Sequence, residues 1–184
     1  MKTQTEKILN VLRIIAWIGY VGWLIIFGIL IIMTFFGFLN FDSEFAKWPN
    51  FRIEGSEIDL KILREKYPIQ LIVFVGMMIL ETFLVVKIWE VAKNALTDIN
   101  LKKPFSYATA FMIEKISYLI FSIWLLELVQ TAYGKYIQTL FTDITVKFSL
   151  LTEFSYLFVA GIIYLISQIF KRGVELQVEN ELTV

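Results

Sequence analysis

Two carboxylates stand where hydrocarbon is expected, and they set the range of chemistry open to this chain. Glu81 lies near the middle of a long apolar run, and Glu127 lies in the outer half of another, with Gln130 one helical turn further on. An ionised acid at the centre of a bilayer costs about 2.5–3.5 kcal/mol on insertion scales. Each must therefore be protonated, paired, or turned toward a wet interior. One reading is a path for protons or cations, or a ligand site, lined by Glu81, Glu127 and Gln130. The other is a neutral acid hydrogen-bonded to a neighbouring helix, with Ser122 and Thr82 as candidate partners. A second group comprises Lys87, Glu90, Glu114, Lys115 and Lys171. If the second and third apolar runs form an antiparallel hairpin, Lys87 falls level with Lys115 and Glu90 with Glu114. Lys171 then joins them from the fourth run. Such a network at the inner membrane boundary either carries function or fixes register while long side chains snorkel to the headgroups.

The rest of the catalytic toolkit is thin. The sequence contains no Cys and no His, which removes thiolate nucleophiles, cysteine-based metal sites and the usual general base near neutral pH. No glycine loop for phosphate, no nucleophile elbow and no metal-ligand spacing occurs. The expectation is a non-enzymatic protein with no cofactor and no metal. Formal net charge is +0, so no bulk attraction to nucleic acid is expected.

These residues sit in a chain of 184 residues that is 58% hydrophobic, with mean hydropathy +0.69. Soluble domains average about 45–50% apolar residues, and a domain this small cannot bury such an excess. The surplus must face lipid. Four runs are long enough to cross about 30 Å of hydrocarbon, at about 11–39, 68–92, 107–133 and 151–170. The first is too long for a signal peptide and reads as a retained anchor. Pro68 suits a first helical turn, and Ser106 suits an N-cap. Gly134 and Gly173 are placed as left-handed residues closing the third and fourth helices.

The expected fold is an all-α membrane protein, a four-transmembrane-helix bundle forming a single domain. Outer loops cover 40–67 and 134–150, and a cytoplasmic tail covers 171–184. Alternating Phe51, Ile53, Ile58, Leu60 and Ile62 around Glu54-Gly55-Ser56-Glu57, with Ile144, Val146 and Phe148 in the second loop, suit a small extracytoplasmic β cap. An irregular loop is the alternative. Trp17, Trp89, Tyr107, Tyr133 and Tyr136 fall near the expected membrane interfaces, where amphipathic rings accumulate. Basic residues divide with a slight excess on the N-terminal side, so both termini are placed in the cytoplasm.

Two stretches carry a family resemblance. Leu101-Lys-Lys-Pro104-Phe105-Ser precedes the third helix, and the chain closes on Ile169-Phe-Lys-Arg172-Gly173-Val-Glu-Leu176-Gln-Val-Glu-Asn-Glu-Leu182-Thr-Val. With four runs and this length, they are similar to the YoaS-like family, bacterial membrane proteins classed as a domain of unknown function. Lys103 departs from the small or polar residue that often precedes the Pro-Phe element. The resemblance implies four helices, no established enzymatic role, and location in a bacterial cell (inner) membrane. Genes of that family often neighbour a small helix-turn-helix regulator, which implies a membrane partner that holds or releases a cytoplasmic repressor. Pro104, Phe105, Arg172, Gly173, Leu176 and Leu182 are then the candidate partner contacts. A short arm with spaced apolar residues can dock in a groove or add to a sheet edge. The leading expectation is a regulatory or sensory module; the alternative is a small transporter or channel subunit using the intramembrane carboxylates.

Overall fold

A computed structural model describes residues 4–38, 66–99, 106–140 and 150–182. They form four helices: α1 (Gln4–Phe38), α2 (Pro68–Asp98), α3 (Tyr107–Leu140) and α4 (Leu150–Leu182). The shortest has 31 residues, about 46 Å at 1.5 Å per residue, so each exceeds the hydrocarbon thickness. Three segments are both long and apolar enough to cross a membrane: Gln4–Phe36, Pro68–Asp98 and Phe154–Asn180. Among the described residues there is no strand; the segments suggested for a β cap lie outside them.

The helix starts follow the sequence cues. Pro68 occupies the first turn of α2 after Tyr67, and the Leu71 amide donates to the Tyr67 carbonyl at 3.1 Å. Ser106 caps α3, accepting from the Thr109 amide at 3.1 Å while its hydroxyl meets that of Thr109 at 2.8 Å. The glycine stops do not occur. Gly134 is buried within α3, which continues to Leu140. Gly173 lies within α4, which runs to Leu182. Both glycines are followed by residues that tolerate helix, with no proline to end it, and an Arg172–Glu175 pair at 2.7 Å spans Gly173 on the next turn.

Consecutive helices pack antiparallel: α1 on α2, α2 on α3, and α3 on α4. Among the described residues α1 meets neither α3 nor α4, and α2 does not meet α4, so the four make an open series rather than a closed ring. Lipid solvates an apolar helix face about as well as another helix does, so no hydrophobic pressure drives closure. The exposed surface agrees with that solvent. Ile14, Ile18, Ile25 and Ile32 on α1 and Phe154, Phe158, Leu165 and Ile169 on α4 are all exposed.

Among the described residues the buried polar ones are Thr109, Glu114, Ser117 and Gln130 on α3 and Ser167 on α4. Meanwhile α3 exposes Phe111, Tyr118, Phe121, Leu125 and Val129. Polar inside and aromatic outside is the reverse of a water-borne helix.

Close approach is greatest between α1 and α2. Gly19 lies against the indole of Trp89, so that a methyl group at Gly19 would collide with three ring atoms. By contrast a methyl group at Gly22 or Gly28, on the same helix, would meet nothing within 4 Å. Overpacking a tight contact costs about 1–3 kcal/mol. Gly19→Ala should therefore lower the thermal unfolding midpoint in detergent, whereas Gly22→Ala should leave it unchanged or raise it.

Candidate functional site

The polar side chains gather in the seams between neighbouring helices, at two depths. The deeper level lies between α2 and α3. Gln130, buried on α3, donates from Nε2 to Glu81 Oε2 at 3.1 Å. Glu81 is about 20 Å along α2 from Pro68, near mid-helix. Glu127 stands almost one turn before Gln130, half-buried, with its Oε2 shut away from solvent. Phe74 and Tyr133 stack one step further out, with ring centroids 5.3 Å apart.

The hydroxyls suggested as partners are turned elsewhere: Thr82 donates to the Met78 carbonyl at 2.8 Å and Ser122 to the Tyr118 carbonyl at 2.8 Å. Each hydroxyl thus satisfies itself on its own helix. The amide of Gln130 is the group long enough to cross the seam.

The second level lies toward the N-terminal and C-terminal ends of the chain. Glu114, buried on α3, receives Lys171 Nζ from α4 at 2.8 Å and Gln168 Nε2 at 3.2 Å, both on Oε1. Gln168 Nε2 also reaches Ser167 Oγ at 3.2 Å, and the Tyr118 hydroxyl lies 3.4 Å from Glu114 Oε1. Tyr118 and Tyr164 meet at the exposed edge of the seam one turn deeper, 6.1 Å between centroids.

Lys87 instead pairs with Glu90 on its own helix at 2.7 Å. Lys115 is exposed. The five inner charges therefore divide: Glu114 and Lys171 join α3 to α4, Lys87 and Glu90 pair within α2, and Lys115 stays on the surface. The register differs from the level pairing of Lys87 with Lys115, because the Glu81–Gln130 contact slides α3 several residues along α2.

Three contributors were not singled out from the sequence. Arg13 on α1 donates from Nε to the Leu96 carbonyl at 2.7 Å, and from Nη2 to those of Thr97 at 3.1 Å and Ile99 at 3.2 Å. These are carbonyls at the end of α2, which stops without a glycine on the extended residue Ile99. A guanidinium from the neighbouring helix thus caps that end and meets its negative dipole. Lys93 lies over the rings of Trp17 at 4.6 Å and Tyr20 at 4.2 Å. Gln168, the third, had one signal in the sequence: it stands one turn before Lys171, on the face that α3 covers.

The candidate partner contacts divide as well. Arg172 and Leu176 are exposed, Gly173 is half-buried, and Leu182 ends α4. Pro104 and Phe105 lie outside the described residues.

A buried acceptor deprived of its partner costs about 1–3 kcal/mol, whereas a half-exposed ion pair contributes about 0–1 kcal/mol. The side chain of Glu114 is 11% exposed, and those of Lys87 and Glu90 are 43% and 33% exposed. Chemical unfolding in detergent should accordingly show Glu114→Ala as the more damaging change and Lys87→Ala as nearly silent. Equal losses would mean that the α3–α4 seam is not held by Glu114.

Helices of this length and polarity define a multi-pass type of α-helical protein with at least three segments fit to cross a membrane. A family model described as "Protein of unknown function (DUF2975)" matches residues 42–184, and the chain belongs to that family. The match takes in α2, α3 and α4 and leaves α1 ahead of it. No curated relative and no solved structure matches the chain.

Proposed function

We propose that this protein is a non-enzymatic, four-pass inner-membrane protein that acts as a regulatory or sensory module, passing a state of its membrane segment to a cytoplasmic partner. The observation that carries the reading is α4. Its 33 residues run unbroken from Leu150 to Leu182, about 50 Å, of which a bilayer takes about 30 Å. One rigid rod thus joins the membrane segment to the tail. Its inner end is clamped by Glu114 through Lys171 and Gln168. A signal that favours one packing of the α3–α4 seam shifts the tail with it, provided that it binds one state better than the other.

α3 completes the fourth crossing in this reading: its acids and amides turn toward α2 and α4, and its aromatic face turns to lipid. The YoaS-like resemblance of the tail suggests a cytoplasmic helix-turn-helix regulator as the partner, with Arg172, Gly173, Leu176 and Leu182 on the contacting segment. Both termini then lie in the cytoplasm.

A chain ending at Arg172 should still insert into membranes and should lose the helix-turn-helix protein that co-purifies with the full chain. An unchanged set of partners after truncation would count against the proposal.

The hydrogen bond between Gln130 and Glu81 supports a register-fixing role for that acid over a cation path. Proteoliposomes holding the wild type should be no leakier to protons or potassium than those holding Glu81→Gln. A flux present in the wild type and abolished in Glu81→Gln would establish the transport reading instead.

A further inference from the structure

Most ionic groups at the inner end are already matched. Lys87 and Glu90 neutralise one another, as do Glu114 with Lys171 and Arg172 with Glu175. Among the described residues, Lys93 and Lys115 form no ion pair. The Glu81–Gln130 and Phe74–Tyr133 contacts set the register of α2 on α3 and put Lys93 level with Lys115, while the Glu90 carboxylate is already engaged by Lys87 at 2.7 Å. Two unmatched ammonium groups and one compensated pair thus lie near one level, Lys93 toward α1 and Lys115 on the exposed side of α3.

Lys93 is also held in place. Trp17 and Tyr20, one turn apart on α1, present their rings to its ammonium, an attraction that strengthens where water is excluded. Its rotamer freedom is largely spent before any ligand arrives. The surface leading to this point is greasy. Trp17 is half exposed, and Val21 and Leu24 continue the same side of α1 into the membrane, both exposed.

We propose that this seam binds the headgroup phosphate of one anionic phospholipid, with Lys93 and Lys115 as its cationic contacts and an acyl chain lying along Trp17, Val21 and Leu24. A phosphodiester supplies the negative charge that the seam lacks, and its tails supply the cover that the exposed α1 face needs. Basic pockets between helices at an inner membrane face select such headgroups. Zwitterionic lipid offers the same tails but no net charge, so the two lysines discriminate between them. The site rests on the membrane reading of the helices.

The test uses the full chain in nanodiscs of equal phosphatidylglycerol and phosphatidylcholine. Native mass spectrometry then counts lipids retained after the disc is stripped. The wild type should keep one phosphatidylglycerol in preference to phosphatidylcholine. That preference should fall about fivefold for each lysine neutralised, the weight of one cation at an anionic surface, in Lys93→Gln and in Lys93→Gln/Lys115→Gln. Lys115→Gln alone alters an exposed position and reads the effect even if Lys93→Gln disturbs the α1–α2 contact. Lys135→Gln, at the other end of α3, should leave the preference intact.

Equal retention of both lipids by the wild type, an unchanged preference in the double variant, or an equal loss in Lys135→Gln would each overturn the site. Incorporation into discs of phosphatidylcholine alone checks the membrane reading separately.

Discussion

Hydrocarbon cannot hydrogen-bond, and for helices long and apolar enough to cross a membrane that constraint bears on every polar atom they carry. A side chain with a donor or acceptor must find its complement within protein or reach the headgroups. The outcome is a molecule turned inside out relative to a soluble one. Gln130, Glu114, Ser117 and Ser167 are buried, while isoleucines and phenylalanines cover the exterior. The short hydroxyls return to their own helix backbones, as Thr34 does to Leu30 at 2.7 Å and Ser167 to Tyr164 at 2.7 Å. The long polar groups cross to the neighbour and so determine how the neighbour sits.

Each seam uses a different device. Arg13 on the end of α2 and Gly19 beneath Trp89 join α1 to α2 by capping and by close approach. Gln130 with Glu81 ties α2 to α3 through an amide–carboxylate bond. Glu114 gathers Lys171 and Gln168 to tie α3 to α4. Because apolar faces gain little by leaving lipid for protein, these few contacts rather than bulk burial decide the order of helices. They also explain why the series stays open: among the described residues α1 and α4 make no contact. An open series allows the outermost helices to shift against their single neighbour, a motion that a closed ring would block. The α3–α4 seam is the one coupled to the tail.

The four helices, the apolar character that fits three of them to cross a membrane, and two of the helix starts were legible in the sequence. Pro68 and Ser106 work through local geometry, so a few residues of context suffice. The helix ends were not legible. Gly134 and Gly173 resemble stop signals in a short window, yet α3 and α4 pass through both. A glycine stops a helix only where the chain needs to turn, and small size inside a packed seam is an equally good use for it. Arg13 shows the opposite case, a stop made by a residue 83 positions away from the carbonyl that it caps.

The sequence by itself determined which residues could not remain alone. Glu81, Glu127 and Glu114 stand in apolar surroundings, and desolvation demands a partner for each whatever the fold. Only the tertiary structure decided which partner each acid received. A slide of one turn along a helix moves a side chain by about 5.4 Å, enough to exchange one hydrogen-bond partner for another. That slide is set by how two whole helices pack, so Lys87 closed on Glu90 within α2 while Glu114 drew Lys171 from across the seam.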